Sequence, residues 1–245
     1  MCKFRLKFVN THKYYNFYFC RGYGIIICQI ETGVKSMNGH ECYIIGAGDF
    51  FGLAIEPDDS DYLIAADAGY KYCREYNLIP DLVLGDFDSL GDAPEHPNIV
   101  ELPVEKDDTD TGYAIKLGVE KGYRRFYIYG GTGGARPDHT VANMQALTYL
   151  ANRDCRGWLF EKNYVWTCIK NDSIKLKGIG NVSVFCPNGE AKGVVLDGLK
   201  YELEDAVIKS EFPLGVSNHL NGEAEISVKD GCLLIMYSLD IGEID

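Results

Sequence analysis

The sequence is short of basic residues: it contains 24 Lys and Arg against 36 Asp and Glu, a formal net charge of −12. This shortage argues against binding to nucleic acid or to an anionic membrane, because both interactions need a basic surface. It is compatible with a protein that binds a cationic ligand or recruits metal ions. Net charge alone does not choose between these two.

Clustered cysteine and histidine motifs are also absent. The nine cysteines include no Cys-x-x-Cys pair, and the five histidines do not cluster beside them. An odd, unpatterned set argues against a disulfide framework and against a structural zinc site. We expect most cysteines to be small buried residues in a reducing compartment, so the expected location is cytoplasmic.

No apolar run near the N-terminus is long enough to cross a membrane. The segment Phe17–Ile30 is interrupted by an arginine and a glycine, and its unbroken part, Gly24–Ile30, is far shorter than the about 20 residues that a spanning helix needs. No clear small-residue cleavage site follows, as a signal peptide would require. We predict that residues 1–36 are an extension outside the functional domain, which starts near Met37.

From Cys42 onward, short apolar runs alternate with helical stretches. The runs have the character of buried parallel strands that end in glycine-rich loops: Tyr43–Ile45, Tyr62–Ala66, Leu82–Leu84 and Phe126–Tyr129. The helix candidates are Tyr70–Tyr76, Thr109–Lys121 and Thr140–Ala151. This alternation predicts an α/β domain over residues 37–155, built on a doubly wound, mostly parallel sheet.

After about Arg153 the pattern changes to closely spaced β-prone segments without helices between them. These segments are Val182–Phe185, Gly193–Leu196, Glu223–Val228 and Leu233–Ser238. Turn signals that favour hairpins separate them: Pro187–Gly189, Asp197–Gly198, Asn221–Gly222 and Asp230–Gly231. We therefore predict a smaller antiparallel β-sandwich over residues 156–245.

Two aspartates, Asp86 and Asp88, follow the apolar run Leu82–Leu84. In open α/β sheets the carboxyl ends of the strands are where ligands bind. Adjacent carboxylates repel each other unless a cation or a proton lies between them, and Mg²⁺ prefers carboxylate and phosphate oxygens. The pattern indicates a Mg²⁺ site, but an aspartate-rich turn with Asx hydrogen bonds would produce the same pattern.

Further acidic residues fall in loops that the α/β interpretation places on the same rim of the sheet. Asp67 follows the strand Tyr62–Ala66, and Asp107 and Asp110 lie around the start of the second predicted helix. Acids at a helix start can simply satisfy free N–H groups and the helix dipole. Alternatively, one carboxylate caps the helix and the other binds a metal.

The segment 130–139 combines four glycines with Arg136, Asp138 and His139. So many glycines cost conformational entropy, which is understandable if backbone N–H groups must approach phosphate oxygens closely. Arg136 adds a cation that can fork onto a phosphate. The segment is neither a Walker A loop nor a Gly-x-Gly-x-x-Gly fingerprint. A flexible surface turn is the alternative, with His139 as a helix-start residue.

Taken in order, these segments resemble the thiamine pyrophosphokinase family, also called thiamine diphosphokinase. Each motif alone is weak, but their order and spacing are specific, and the resemblance extends from Cys42 to the C-terminus. It rests on Asp67–Gly69, Gly85–Ser89, Asp107–Asp110, Gly130–His139 and Ser217–Asn218. Residues 1–36 have no counterpart in the family pattern.

The resemblance implies a catalytic, ATP-binding α/β domain followed by a thiamine-binding β-sandwich, assembled as a homodimer with thiamine at the subunit junction. The implied reaction uses Mg²⁺ and moves the terminal pyrophosphoryl group of ATP to the hydroxyethyl oxygen of thiamine, releasing AMP. Charge on all three phosphates must then be neutralised, which carboxylate-held Mg²⁺ and an arginine can do.

The resemblance also implies roles for individual residues. The implied catalytic residues are Asp67, Asp86, Asp88, Asp107 and Asp110, of which Asp86, Asp88 and Asp110 would hold the metal. One of these aspartates would accept the thiamine hydroxyl proton. The implied nucleotide-binding residues are Gly130, Gly131, Thr132, Gly133, Arg136, Asp138 and His139. Ser217 and Asn218 would contact the aminopyrimidine ring of thiamine, although without the resemblance an ordinary Ser-Asn turn explains them equally well.

Two other functions use the same features. An Asp-x-Asp pair after a strand is also the nucleophile signature of haloacid-dehalogenase-type phosphohydrolases, but there it follows the first strand, whereas here Asp67 and a whole strand precede it. A non-catalytic sensor of thiamine or nucleotide could use the same pocket. Retention of the full carboxylate set argues for the enzyme.

Overall fold

The computed structural model describes residues 40–87, 94–105 and 107–244, together with the backbone of three N-terminal strands. These strands, β1 (Cys2–Lys7), β2 (Tyr14–Phe19) and β3 (Ile25–Cys28), form a separate antiparallel sheet. They lie within the segment 1–36, whose status as an extension stays a prediction.

Within the described residues, the remainder of the chain forms one mixed sheet of thirteen strands and three helices. In chain order the elements are β4 (Cys42–Ile45), β5 (Tyr62–Ala66), α1 (Gly69–Glu75), β6 (Leu82–Gly85), β7 (Ile99–Glu101), α2 (Asp110–Glu120), β8 (Arg125–Tyr129), α3 (Pro137–Ala151), β9 (Arg156–Phe160), β10 (Tyr164–Lys170), β11 (Ser173–Phe185), β12 (Glu190–Leu199), β13 (Leu203–Lys209), β14 (Gly215–Ser227), β15 (Cys232–Ser238) and β16 (Gly242–Ile244).

Half of the sheet is parallel, with the strand order β7-β6-β5-β4-β8-β9. β4 comes first in the chain and lies between β5 and β8, so the chain builds outward on both sides of it. Cys73 of α1 packs with Tyr43 on one face of the sheet, and Ile115 of α2 packs with Ile44 on the other. Because helices cover both faces, the central strands are buried on both sides, which explains their continuous apolar sequences.

The other half of the sheet is antiparallel. Its strands continue in the order β10-β15-β11-β14-β12-β13, with β16 paired to β11. β9 pairs in parallel with β8 and antiparallel with β10, so backbone hydrogen bonds pass without a break from one half to the other. The predicted domain division between residues 155 and 156 stays a prediction.

The four glycine turn signals do not form the hairpins that the sequence predicts. Pro187–Gly189 connects β11 to β12 and Asp230–Gly231 connects β14 to β15, but neither pair of strands is adjacent in the sheet. Asp197–Gly198 and Asn221–Gly222 lie inside β12 and β14. Gly198, with a φ of 76°, lies where β12 shifts its register against β14. A glycine with positive φ suits a β-bulge as well as a turn, so the dipeptide alone does not distinguish them.

The three predicted helices are present. α1 and α2 begin and end within one residue of the predicted bounds, whereas α3 begins at Pro137 instead of Thr140. Proline suits the first helical position because its missing N–H would have no partner inside the helix. No helix in the described part of the chain is long and apolar enough to cross a bilayer.

Burial of the described cysteines agrees with the prediction that most cysteines are small buried residues. The six in the described residues are all buried, and none of these forms a disulfide: Cys42, Cys73, Cys155, Cys168, Cys186 and Cys232. Burial raises the pKa of Cys73 and of Cys168 to about 12, so these thiols stay protonated at neutral pH.

A buried carboxyl group joins β16 to both halves of the sheet. Oε1 of Glu243 accepts hydrogen bonds from Trp158 Nε1 at 2.5 Å and from the Tyr237 hydroxyl at 2.8 Å. Burial raises the pKa of Glu243, and nearby Arg156 partly opposes that shift. β16 is therefore attached to β9 and β15 through a titratable carboxyl group inside the core.

Candidate active site

A cavity of about 460 Å³ lies at the carboxyl ends of the parallel strands. The loops after β4, β5, β6 and β8 line it, together with the first turns of α2 and α3. β4 and β8 are adjacent in the sheet but not in the chain, so the strand order reverses here. Such a reversal opens a crevice between loops that diverge to opposite faces, which is where open α/β sheets bind ligands.

Three carboxylates line the cavity on the side of β5 and β6: Asp67, Asp86 and Asp110. Asp67 has a φ of 49°, an uncommon left-handed conformation for a residue other than glycine, and its N–H donates to Leu84 O at 2.7 Å. A side chain at Gly85 would place its Cβ 3.0 Å from the Asp67 Cα. The close approach of these two loops is thus possible because residue 85 is a glycine.

The cap at the start of α2 is a threonine, whereas both interpretations of the sequence made an aspartate the cap. Thr109 is the N-cap, and its hydroxyl accepts from Gly112 N–H at 3.0 Å. Asp108 forms an ion pair with Lys116 Nζ at 2.6 Å. Asp107 is exposed and does not line the cavity. Because Thr109 caps the helix, Asp110, its first residue, is not needed as the cap and reaches the cavity.

The predicted metal ligands are only partly within the described residues. Asp88 and Ser89 lie outside them. Within the ranges 40–87, 94–105 and 107–244, no three acidic, His or Cys side chains form a group that could hold a metal. Mg²⁺ usually binds one or two carboxylates and completes its shell with water and substrate phosphates. The carboxylate oxygens of Asp86 and Asp110 on one cavity wall fit that requirement.

The loops after β4 and β8 are joined by backbone hydrogen bonds. Gly46, Gly48 and Asp49 donate their N–H groups to Tyr129, Gly130 and Thr132 at 2.7, 2.7 and 2.8 Å respectively. The two strands therefore remain connected beyond the sheet, and the glycine loop is anchored at its base. Thr132 is buried and uses its carbonyl in this pairing; it does not line the cavity.

The distal part of the glycine loop is exposed. Gly133 and Gly134 both have a φ of 69° and line the cavity together with Arg136 and His139. The Arg136 guanidinium forms a two-pronged ion pair with Asp138, with Nη2 to Oδ2 at 2.7 Å, which lowers the pKa of Asp138 to about 2. Asp138 itself does not line the cavity.

The N-terminus of α3 faces the same cavity. Arg136 occupies the N-cap position, and no side chain among the described residues caps the helix there. A helix N-terminus without a side-chain cap attracts anions, and a flanking arginine strengthens that attraction. The β8 side of the cavity therefore suits phosphate, whereas the β5 and β6 side suits cations.

Asn143 and Gly48 also belong to the cavity, although the sequence did not single them out. Asn143 lies four residues after His139 in α3, so both are on one face of the helix. This four-residue spacing is the feature of the sequence that could have identified Asn143 as a cavity residue. Gly48 could not be recognised in the same way, because its role depends on β4 and β8 being neighbours.

The predicted thiamine ligands lie elsewhere, on β14. Ser217 is exposed with a φ of 62°, and its N–H donates to Ser183 Oγ at 3.1 Å. Asn218 is buried; its Oδ1 accepts from Tyr201 N–H at 2.9 Å and its Nδ2 donates to Tyr201 O at 2.7 Å. The Asn218 side chain therefore shapes the strand, and neither residue lines the cavity.

These features define an α/β protein with a cavity at its topological switch point and an antiparallel C-terminal half. The thiamin pyrophosphokinase catalytic domain model matches residues 56–159, and the thiamin pyrophosphokinase vitamin B1 binding domain model matches residues 173–233. The chain therefore belongs to the thiamin pyrophosphokinase family. This confirms the resemblance and the enzyme class predicted from the sequence, and it removes the phosphohydrolase alternative.

Individual relatives agree with this assignment. A thiamine pyrophosphokinase of Bacillus subtilis (strain 168) is 27% identical over 193 residues, which cover 75% of this chain and 90% of that protein. The crystal structure of thiamine pyrophosphokinase from Bacillus subtilis superposes with a TM-score of 0.73 at 25% identity, covering 81% of this chain and 98% of that one. The corresponding protein from Geobacillus thermodenitrificans gives a TM-score of 0.70 at 25% identity, covering 81% and 97%.

Proposed function

We propose that the protein transfers the terminal pyrophosphoryl group of ATP to the hydroxyethyl oxygen of thiamine in a Mg²⁺-dependent reaction. The products are thiamine diphosphate and AMP. The observation that carries this proposal is the composition of the cavity in a chain of this family. Asp67, Asp86 and Asp110 line it beside β5 and β6, and Arg136 lines it after β8.

Mg²⁺ fits the carboxylate side of the cavity. Asp86 and Asp110 would hold it, with Asp88 as the third ligand that the resemblance implies. When bound, Mg²⁺ neutralises charge on the triphosphate and on the transition state. Carboxylates that project into one cavity also repel one another, so a bound cation relieves an unfavourable charge distribution.

The residues of the glycine loop and α3 would bind the triphosphate. Backbone N–H groups of Gly133 and Gly134, together with the Arg136 guanidinium, can contact phosphate oxygens on the β8 side. Asp67, Asp86 and Asp110 line the same cavity on the side of β5 and β6. Holding the electrophile and the nucleophile in one cavity is how most of the rate gain in phosphoryl transfer arises.

In the transfer step the thiamine hydroxyl oxygen attacks the β-phosphorus of ATP. A new O–P bond forms, and the bond between the β-phosphorus and the oxygen that bridges to the α-phosphorus breaks, so AMP leaves with that oxygen. One of the predicted catalytic aspartates accepts the hydroxyl proton; Asp67, Asp86 and Asp110 are candidates because they line the cavity, and Asp88 is a candidate because the resemblance implies it.

We propose that thiamine binds to the antiparallel half of the sheet, at the junction between the two subunits of a homodimer. In this proposal, residues 37–155 form a doubly wound catalytic domain, and residues 156–245 form a thiamine-binding β-sandwich. Large apolar side chains are exposed near Ser217 in the chain, namely Phe212, Leu214 and Val216, which are 62%, 45% and 38% exposed. Exposed apolar side chains of this kind are typical of a contact with another subunit.

Incubation of the purified protein with ATP, Mg²⁺ and thiamine, followed by mass analysis of the products, tests this function. We expect thiamine diphosphate and AMP in equal amounts, with AMP formed only when thiamine is present. Thiamine monophosphate with ADP would indicate a different kinase. Binding of thiamine and ATP without any product would indicate a sensor.

A further inference from the structure

The hydroxyl group of Tyr72, in α1, donates a hydrogen bond to the backbone carbonyl of Gly48 at 2.9 Å. Gly48 belongs to the loop after β4 and lines the cavity, whereas Tyr72 does not line it. The N–H of the same glycine donates to Gly130 O at 2.7 Å. Gly48 is therefore attached to α1 through its carbonyl and to the glycine loop through its N–H.

α1 also positions part of the carboxylate side of the cavity. Asp67 lies two residues before the first helical residue, Gly69, and lines the cavity. A Cβ added at Gly69 would overlap the carbonyl oxygen of Ile45, so the helix begins directly against the end of β4. The hydrogen bond from Tyr72 is a second contact between this helix and the chain that leaves β4. It connects the helix that follows Asp67 with the loop that we propose binds phosphate.

The ring of Tyr72 is held in place independently of its hydroxyl group. It stacks on the ring of Phe50, with the centroids 5.0 Å apart and 21° between the planes. Phe50 in turn packs edge-to-face with Tyr76 and Tyr129. Burial raises the pKa of Tyr72 above its ordinary value of 10, and the Asp49 carboxylate adds to the shift, so the hydroxyl remains a donor at neutral pH. Removal of the hydroxyl alone should leave this aromatic packing intact.

We infer that Tyr72 is a positioning residue for nucleotide binding: its hydroxyl fixes Gly48 and thereby keeps the glycine loop in the conformation that accepts the triphosphate of ATP. The inference rests on the proposed function, which assigns the triphosphate to this loop. A loop that is already ordered binds its ligand without an additional entropy cost, so a less ordered loop binds more weakly. Bound ATP orders the loop through its own contacts, so the chemical step depends much less on Tyr72.

The variant Tyr72→Phe removes the hydroxyl and keeps the ring. We expect the KM for ATP to rise about tenfold, the effect of losing one hydrogen bond between neutral groups. The KM for thiamine should not change, and kcat should stay within about threefold of the wild type, as expected when only ground-state binding is weakened. A purely structural role would instead reduce the fraction of folded protein, which lowers kcat and leaves the KM for ATP unaltered.

Tyr70→Phe is the matched control. Tyr70 lies in the same helix, and its hydroxyl donates to Glu95 O at 2.9 Å, a bond of the same kind and length. Neither Tyr70 nor Glu95 lines the cavity. Thermal unfolding should show a similar small loss of stability in both variants, but Tyr70→Phe should keep the wild-type KM for ATP. The same KM for ATP in the two variants would overturn the inference.

Gly48→Ala tests whether Tyr72 acts through Gly48. The added Cβ would lie 2.5 Å from Thr132 O and already separates the two loops. Removing the Tyr72 hydroxyl in this background should therefore change the KM for ATP by less than about twofold, because the effects of coupled residues are not additive. An equal change in both backgrounds would contradict the inference.

Failure of this inference is distinguishable from failure of the proposed function. If the wild type forms thiamine diphosphate but Tyr72→Phe and Tyr70→Phe have the same KM for ATP, the role of Tyr72 is refuted and the enzyme assignment stands. If the wild type forms no thiamine diphosphate from ATP and thiamine, both are refuted.

Discussion

Gly48 N–H donates to the carbonyl of Gly130 at 2.7 Å, which joins the loops on the two sides of the switch point. These residues are far apart in the sequence and follow different strands, yet both line the cavity. Their hydrogen bond fixes the glycine loop relative to β4. The geometry of the proposed triphosphate site therefore depends on a glycine in a loop that carries no charged ligand of its own.

Replacement of Gly48 by alanine tests that dependence. The added Cβ would lie 2.5 Å from Thr132 O and 2.8 Å from Gly130 O, both backbone atoms, so the two loops must separate. We expect kcat/KM to fall about 100-fold, because small displacements of positioning groups have large effects on rate.

Gly189→Ala is the matched control for this change. It lies in the connection between β11 and β12, and nothing is within 4 Å of its added Cβ. Its φ of 59° costs about 1 kcal/mol of stability on substitution, and activity should persist. Equal activity losses in both variants would contradict the proposed role of the loop contact.

Asp86→Asn and Asp110→Asn should each reduce kcat by about 100-fold or more while circular dichroism shows an unchanged fold. Both residues line the cavity, and each substitution removes a charge that would act on the transition state. Asp59→Asn, an exposed surface change, is the control. Wild-type turnover of Asp86→Asn under excess Mg²⁺ would refute its proposed metal role.

Arg136→Ala should raise the KM for ATP about tenfold and leave the KM for thiamine unchanged, because Arg136 lies at the phosphate side of the cavity. Its ion pair with Asp138 should not titrate between pH 5 and 9, since the pKa of Asp138 is lowered to about 2. Steady-state kinetics with each substrate varied in turn measure the KM for ATP and the KM for thiamine. A rise in the thiamine KM alone would assign Arg136 to the other substrate.

Ser217→Ala and Asn218→Ala should have different consequences. Ser217 is a predicted thiamine ligand, so replacing its side chain should raise the KM for thiamine. Because the side chain is exposed, the free energy of unfolding should change little. Asn218 holds both backbone groups of Tyr201, so its loss should lower the free energy of unfolding by about 2 kcal/mol. Thermal unfolding and thiamine kinetics separate the two. An unchanged thiamine KM in Ser217→Ala would remove that residue from the substrate site.

Glu243→Gln should weaken the dependence of stability on pH. Burial raises the pKa of Glu243 above its ordinary value of 4.5, so the folded protein binds this proton more tightly than the unfolded chain. The associated stability is complete below the ordinary pKa and is lost as pH rises through the raised one. Glutamine can accept the same two hydrogen bonds without titrating.

Denaturant unfolding from pH 4 to 8 measures this effect as the difference between wild type and variant. Glu41 also has a raised pKa but titrates in both proteins, so the difference isolates Glu243. Glu243→Leu is the contrasting variant, because it leaves the donors of Trp158 and Tyr237 without an acceptor, at a cost of about 1–3 kcal/mol each. Parallel pH profiles for wild type and Glu243→Gln would contradict the assignment of a raised pKa.

Local patterns predicted the α/β half well. Buried parallel strands have continuous apolar sequences, so β5 was located to the residue, and the loops after β5, β6 and β8 were correctly placed on one rim together with the start of α2. β7 and β9 were not predicted, because β7 is only three residues long and β9 begins with a buried arginine. Neither resembles a typical apolar strand.

The antiparallel half was less predictable, because its connections are not local. β14 lies between β11 and β12, so the two strands that Pro187–Gly189 connects do not pair with each other. Within the cavity, Asp67, Asp86 and Asp110 were identified from their positions after strands or at a helix start. Asn143 was not, because a single polar residue inside a helix usually faces solvent, and only tertiary packing buries this one.

The fate of labelled phosphorus tests the central claim most directly. Separate reactions with ATP labelled at the γ-phosphorus and at the α-phosphorus, in the presence of thiamine and Mg²⁺, show which bond breaks. Attack at the β-phosphorus predicts the γ-label in thiamine diphosphate and the α-label in AMP. A γ-label in thiamine monophosphate with the α-label in ADP would contradict the account.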